Sequence, residues 1–509
     1  LRDQLGGGFH RYCVDPEWTV PHFEKMLYDN ATIPRALLHG YQVTGETRYA
    51  SIAAETFDFV ERELTHDDGA FYSTLDARSP APEGSDWNGD GTDGHDRGVE
   101  GAYYVWTPQD VREAVEGGKE MDKENVIEPD QPVEEASETT RDAVPEDSEF
   151  LTKVACERYA ITEAGNFEGA SVPTMGASVA ELASAFDRSE AEIRAALSDI
   201  DDRLRSARNQ RPRPPRDEKI IAGWNGLMID ALAEGALVLG EEIYAEMANQ
   251  ALDFVRETLW DGEVLHRRYK EPETRGGDSA EATEAIKGQG VLEDYAFLAN
   301  GALTVYEATG ELAPLSFALE LARAIEREFW DEARGTIYYT PASGEQLPVR
   351  PQEVADGSTP SSTGVAVDVL LAIDAFAPDA GFAEMAERIL ETHRPTIENS
   401  PLQHASLVMA SEIHREGHLE ITISGGEFPE PWRETIGGQF MPDRLLAHRP
   451  PDEATLDTWL EELGVAEAPP IWAGRTGEGG PTAYVCRRAC SPPLQSESEL
   501  EEWLGRFSR

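Results

Sequence analysis

The sequence predicts a mainly α protein: a closed double ring of helical hairpins, followed by a small α/β part. Three observations lead there. Three segments of the chain align with one another without a gap. Each reads as helix, glycine-containing turn, helix. After His414 the patterning changes to alternating, strand-like pieces.

The first copy runs from Asp29-Asn30 through Thr44-Gly45-Glu46 to Phe57–Leu64. The second runs from Trp224-Asn225 through Leu239-Gly240-Glu241 to Leu252–Trp260. The third runs from Asp294-Tyr295 through Thr309-Gly310-Glu311 to Ala322–Trp330. Each turn glycine sits where a helix C-cap takes a positive φ. Ala231, Leu232, Ala236 and Leu237 give the small, apolar, helical-period pattern of a buried inner helix. The aromatic-rich pieces Gly69–Tyr72, Val264–Tyr269 and Gly335–Tyr339 read as short hairpin strands lining one mouth. Pro34 is expected to kink the first helix or to mark its first turn. A looser fourth copy spans Ser361–Thr392, and Leu402–His414 reads as a further helix. Phe150–Tyr159 and Ser189–Arg208 are helical segments between the first two copies. Stacked helix pairs bury their inner faces as a solenoid or by closing on themselves. Strands gathered at one mouth favour closure.

Two stretches interrupt the pattern. Ser79–Gly98 is rich in Gly, Asp and Pro, and Gly117–Glu149 is acidic. Both read as solvated loops. Asp86–Asp93 carries carboxylates at short spacing, which suits calcium, but not at the spacing of an EF-hand loop. The histidines are scattered, and no metal site is expected. The division is therefore a helical part, 1–415, and a small α/β part, 416–509. In the latter, Leu419–Ser424, Arg444–His448 and Thr482–Cys486 read as strands, and Leu456–Leu463 and Glu497–Leu504 as helices. Gly425-Gly426 reads as a turn rather than a phosphate cradle.

The 509 residues carry a formal net charge of −53, with acid spread along the whole chain. Such a surface keeps a protein hydrated and suits a salt-rich cytoplasm, as in halophilic archaea. It disfavours nucleic acid and anionic membranes as partners. No apolar run has the length of a membrane span. Cys13, Cys156, Cys486 and Cys490 are too sparse for a disulfide scaffold, and Cys486 and Cys490 are expected to be reduced thiols. The chain opens on Leu1 and runs directly into a motif, which reads as a piece of a longer protein. No nucleotide fingerprint appears, and no cofactor is expected.

The densest functional text is the stretch from Asp3 to Ala31. His10, Arg11, Tyr12, His22, Glu24 and Asp29 crowd there without an amphipathic period, as residues of a pocket wall do. This stretch, with Glu100–Trp106, Lys219–Leu227, Leu292–Phe297, Asp356–Ser361 and Ala483–Pro493, resembles the thioredoxin-domain-containing family typified by spermatogenesis-associated protein 20. The resemblance implies a thioredoxin-like domain, an (α/α)6 six-hairpin barrel and a small C-terminal domain. It also implies a barrel similar to N-acylglucosamine 2-epimerases, cellobiose 2-epimerases and six-hairpin glycosidases. The thioredoxin-like domain and the hairpin expected before Asp3 are not in this chain.

In such a barrel the starts of the inner helices face one cavity. That adds Trp224, Asn225, Glu293, Asp294, Tyr295, Ser361 and His404 to the opening cluster. Acid–base chemistry of epimerase or isomerase type would use His22 and His404, with His10 as substitute. Arg11 would stabilise enediolate charge. Tyr12, Asp29, Trp224, Asn225, Glu293, Tyr295 and Ser361 would bind the sugar's rings and hydroxyls. Glycoside hydrolysis would instead pair Glu24 with Asp294, or Asp29 with Glu293. A third reading is a non-catalytic binding barrel that works with a thioredoxin-like domain.

Overall fold

The computed structural model describes residues 1–80, 98–121, 147–272, 285–477 and 479–507. The calcium reading of Asp86–Asp93 and most of both acidic loops lie outside them. In chain order the helices are α1 (Leu27–Thr44), α2 (Thr47–Leu64), α3 (Pro108–Met121), α4 (Ser148–Arg158), α5 (Val179–Phe186) and α6 (Glu190–Asn209). There follow α7 (Ala222–Leu239), α8 (Glu242–Leu259), α9 (Leu292–Thr309), α10 (Leu312–Phe329), α11 (Ser362–Asp374), α12 (Phe382–Asn399) and α13 (Ala405–Glu416). The last three are α14 (Glu430–Gly437), α15 (Glu453–Leu463) and α16 (Glu497–Leu504). The mainly α class is therefore what the chain forms.

The chain divides into two compact units. One comprises Leu1–Met26 and Thr74–Asp217, the other Leu27–Ser73 and Glu218–Arg509. The second holds the hairpins. In each of the pairs α1–α2, α7–α8 and α9–α10, both helices are 18 residues long and separated by two residues. The gapless repeat is therefore one hairpin built three times. Gly45, Gly240 and Gly310 take φ of 70°, 75° and 74°, which reverses the chain where a side-chain-bearing residue would be strained. The looser fourth copy is α11–α12. Pro34 lies well inside α1, so it does not mark the first turn.

Helices α7 and α9 are buried almost throughout, which makes them inner helices. Helix α7 packs between α1 and α9, α9 against α11, and α11 against α13. Helix α8 buries only the stripe Tyr244, Met247, Ala248, Ala251, Leu252, Val255 and Leu259, as an outer helix does. The inner pair meets at glycine. A Cβ on Gly226 would lie 2.5 Å from the Leu298 nitrogen, and one on Gly301 would lie 2.7 Å from the Gly226 oxygen.

Short strands stand at the N-terminal ends of these helices. β6 (Ile220–Ile221), β7 (His266–Tyr269) and β8 (Ile286–Gln289) form an antiparallel sheet in that order. β9 (Trp330–Asp331) and β10 (Thr336–Ile337) form a hairpin after α10. The aromatic piece Gly69–Tyr72 forms a single bridge, Thr65 to Phe71, rather than a strand.

The C-terminal part is a four-stranded sheet, order β12–β11–β13–β14, made of β11 (Leu419–Ser424), β12 (Arg444–His448), β13 (Thr482–Arg487) and β14 (Ala489–Cys490). β11 runs parallel to β12 and antiparallel to β13. Arg444 reaches from β12 to Glu234 of α7 at 2.8 Å and Glu307 of α9 at 3.3 Å. Cys486 and Cys490 are joined in a disulfide, which corrects the expectation of reduced thiols. Their four-residue spacing hides a tight turn at Arg488, φ 60°, that sets them opposite one another on β13 and β14.

The other unit packs α3, α4, α5 and α6 over a core that includes Leu5, Trp106, Val111, Leu151, Ile193 and Leu204. Capping boxes Ser178/Glu181 and Ser189/Glu192 start α5 and α6. Its strands are β1 (Lys25–Met26), β2 (Thr74–Leu75), β3 (Arg78–Ser79), β4 (Val99–Glu100) and β5 (Arg216–Asp217). They pair as β1–β2–β5 and β3–β4.

Gly226→Ala is expected to cost about 1–3 kcal/mol through overpacking of α7 on α9. Gly117→Ala on α3, where a Cβ meets open space, should instead gain up to about 1 kcal/mol of helix propensity. Thermal denaturation of the two variants checks this: opposite signs of the Tm shift are expected, and equal shifts would contradict the close approach.

Candidate functional site

The sequence-predicted residues fall into two sets, one in each compact unit. In the first unit, residues 11–14 run beside 20–24. The Arg11 N–H donates to the Glu24 carbonyl at 3.1 Å, and the His22 N–H donates to the Tyr12 carbonyl at 2.7 Å. This pairing brings four predicted side chains together. The Tyr12 and His22 rings stack at 5.0 Å and 11°. Glu24 lies 3.4 Å from His22 Nδ1 and 3.7 Å from the Arg11 guanidinium. All four are partly exposed.

His10 is different. Its ring is buried edge-on to Tyr104 at 4.7 Å, and its Nδ1 lies 2.9 Å from the Phe23 carbonyl. Burial, with Lys25 nearby, pulls its pKa down to about 3, so it is neutral at pH 7. Behind it lies a buried ionic group that sequence reading passed over. The Asp3 carboxylate accepts from Lys25 Nζ at 2.8 Å and from Arg208 at 2.8 Å. The two cations outweigh burial and hold Asp3 well below the usual carboxylate range.

In the hairpin unit, the N-terminal ends of α7 and α9 carry the second set. Glu293 and Asp294 open α9, and β7 supplies Arg267 between them. Arg267 donates to Glu293 at 2.7 Å and to Asp294 at 2.8 Å. Asp294 is fully buried and also accepts from the backbone of Gly223 at 3.0 Å and Val291 at 2.9 Å. Burial raises its pKa to about 6 despite Arg267. Glu353, between β10 and α11, accepts from the Ser362 hydroxyl at 2.8 Å. Burial raises its pKa, and the nearby Glu293 charge adds to the rise. Burial and the Glu293 and Glu353 carboxylates also push the Tyr339 phenol up.

The remaining predicted residues of this set divide by role. Trp224 is half-buried with its ring edge-on to Tyr28 at 4.9 Å, and Asp29 sits in the first turn of α1. Asn225 is buried, clamping the Phe71 backbone through its amide at 2.8 and 3.0 Å. Tyr295 is buried and accepts the Leu265 N–H on its hydroxyl at 2.8 Å. Ser361 caps α11. His404 precedes α13 and holds the Ser400 carbonyl at 2.8 Å. Arg267, Tyr339 and Glu353 are the additions that the structure makes. The aromatic pieces Val264–Tyr269 and Gly335–Tyr339 carried a signal for the first two.

No family model matches the chain. In sequence it is similar to spermatogenesis-associated protein 20. It is 29% identical to the Homo sapiens protein over 522 residues, covering 99% of this chain and 61% of that one. The Mus musculus protein is 28% identical over 519 residues, covering 99% and 60%. The chain thus spans about three-fifths of the length of these curated relatives. Among solved structures, a sugar epimerase from a ruminal bacterium matches with a TM-score of 0.40 and 10% identity, over 77% of this chain and 67% of that one. D-Mannose isomerase matches with a TM-score of 0.39 and 10% identity, over 76% and 63%. These structural likenesses are loose, and no chemistry is carried over from them.

A carboxyl whose pKa is higher in the folded than in the unfolded chain binds more protons when folded, so its contribution to stability falls as pH rises between the two values. For Asp294 that window runs from about 4, the unfolded value, to about 6. Tm measured across it should fall less steeply for Asp294→Asn than for the parent chain. Parallel curves would show that Asp294 does not titrate there.

Proposed function

We propose that the mouth of the hairpin unit binds a sugar and performs acid–base chemistry on it, of the epimerase or isomerase type. The observation that carries this reading is the unlike condition of two neighbouring carboxyls. Glu293 is ion-paired with Arg267 at 2.7 Å. Glu353 is pushed up by burial, which favours its proton. A carboxylate held on an arginine beside a carboxyl that burial pushes towards its protonated form can serve as base and acid in one site. Arg267, one-third exposed, supplies a cation for developing enediolate charge. The half-buried Trp224 ring offers a face to the apolar side of a sugar. Asp294, with its donors all internal, is a positioning residue.

This assignment moves the acid–base pair from histidines to carboxyls. His404 turns one ring nitrogen to Ser400, and His10 is packed inside the first unit. Arg11, Tyr12, His22 and Glu24 stay candidates for binding and catalysis as an exposed cluster of that unit. The same two carboxyls also favour a second reading, glycoside hydrolysis, which needs them about 5–5.5 Å apart for retention or about 6.5–9.5 Å apart for inversion.

The test is incubation of the chain with aldoses, ketoses and amino sugars in deuterated water. Deuterium is expected at one sugar carbon, and Glu293→Gln or Glu353→Gln should slow its uptake by about 10²–10⁴-fold. Hydrolysis of a glycoside panel without exchange would establish the second reading. Sugar binding with neither activity would instead indicate a binding barrel that works with a thioredoxin-like domain.

A further inference from the structure

A cavity of about 340 Å³ lies among the inner helices of the hairpin unit and the start of its C-terminal part. Its charged lining comes from α1, α7, α9, α11 and β12, from mid-helix in α1 and α7 to the last turn of α9. The residues of the proposed sugar site do not line it.

The charges of this lining do not balance. Arg35 pairs with Asp230 at 2.8 Å. Arg444 is shared by Glu234 at 2.8 Å and Glu307 at 3.3 Å. Asp368 is the fourth carboxyl, so four acids face two guanidinium groups. Burial drives Glu307 up to about 7 and raises Asp230 and Asp368 as well, while Arg444 and Arg35 hold Glu234 below its usual range despite burial.

Two side chains also lack hydrogen-bond partners. Asp368 Oδ1 is buried and accepts no hydrogen bond. Neither ring nitrogen of His418 meets the geometry of a hydrogen bond, although the Asp443 backbone lies close enough to favour its protonated form. The two groups sit close enough to influence one another electrostatically. Burial keeps His418 below its usual pKa, so its imidazole is neutral at pH 7 and offers one acceptor nitrogen. Buried acceptors without donors are costly, and natural structures rarely leave them so.

The missing complement is a donor that carries positive charge. Excess carboxylate excludes an anion. Among the described residues no group of three or more His, Cys, Asp or Glu side chains could hold a metal ion. Leu303, Val369, Ile413 and Met441 interleave with the charged groups, which suits methylene groups between cationic ends.

We propose that this cavity binds a small aliphatic amine, whose ammonium group donates to Asp368 and His418. The proposal is independent of the sugar reading, since it uses none of that site's residues.

Calorimetric titration of the whole chain with 1,4-diaminobutane tests it, with 1,4-butanediol as the neutral analogue. Saturable one-to-one binding of the diamine is expected, with no binding of the diol. Asp368→Asn should weaken the diamine at least tenfold while leaving Tm without amine unchanged or raised, because it removes an uncompensated buried charge. A residue that served only structure would lower Tm on replacement. His418→Phe keeps a ring of similar shape, removes the acceptor and should weaken binding likewise, which covers a failure of the first variant to fold. Uptake that never saturates, or that matches the parent chain in both variants, would mean cations gathering on the acidic surface and would overturn the proposal. No binding to the parent chain would overturn it equally.

Discussion

The mouth of the hairpin unit depends on one buried carboxylate. Asp294 accepts from the backbone at the start of α7, from the backbone just before α9, and from Arg267 on β7. Three separate pieces of chain are thereby fixed to one another at a single point. Helix starts leave N–H groups unsatisfied, and a carboxylate placed among them answers two such groups and the local positive end of the helix dipole. Taking that charge out of water opposes the gain, which is why its pKa rises to about 6 although an arginine touches it. The neighbouring Glu293 shares the same arginine, and Glu353 stands close enough to feel its charge. One buried acid and its two neighbours thus share one arrangement around Arg267.

The same logic recurs elsewhere in the chain. Asp3 gathers Lys25 and Arg208 inside the first unit, and Arg444 joins α7, α9 and the C-terminal sheet inside the second. A chain of net charge −53 has many acids for each cation. Lys25 and Arg208 are collected by one acid and Arg444 contacts two, whereas the buried Arg449 and Arg475 each pair with one. Arginine suits this use because its planar fork can bind two carboxylates at once.

Much of the fold was legible because it rests on local periodicity. The turn glycines Gly45, Gly240 and Gly310 and the matched helix lengths follow from sequence spacing alone. Gly226 was not legible as a contact, since its reason lies in the Leu298 backbone of another helix. The site was legible in part. Glu293 and Asp294 stand out as adjacent acids at a helix start. Nothing in the sequence tells a carboxylate spent on the backbone, as in Asp294, from one bonded to a side-chain hydroxyl, as in Glu353. Asn225 and Tyr295 look like ligand-binding side chains, yet they are tied to the backbones of Phe71 and Leu265. The Cys486–Cys490 bond escaped because a spacing does not reveal the hairpin turn that closes it.

The central claim is that a sugar meets Glu293 and Glu353 at the mouth of the hairpin unit. A crystal of the protein soaked in an unreactive sugar analogue addresses it most directly. The account predicts analogue density with hydroxyl oxygens within hydrogen-bond reach of both carboxyls and of Arg267, with one ring face against Trp224. An analogue bound in full occupancy elsewhere on the chain, with both carboxyls untouched, would contradict it.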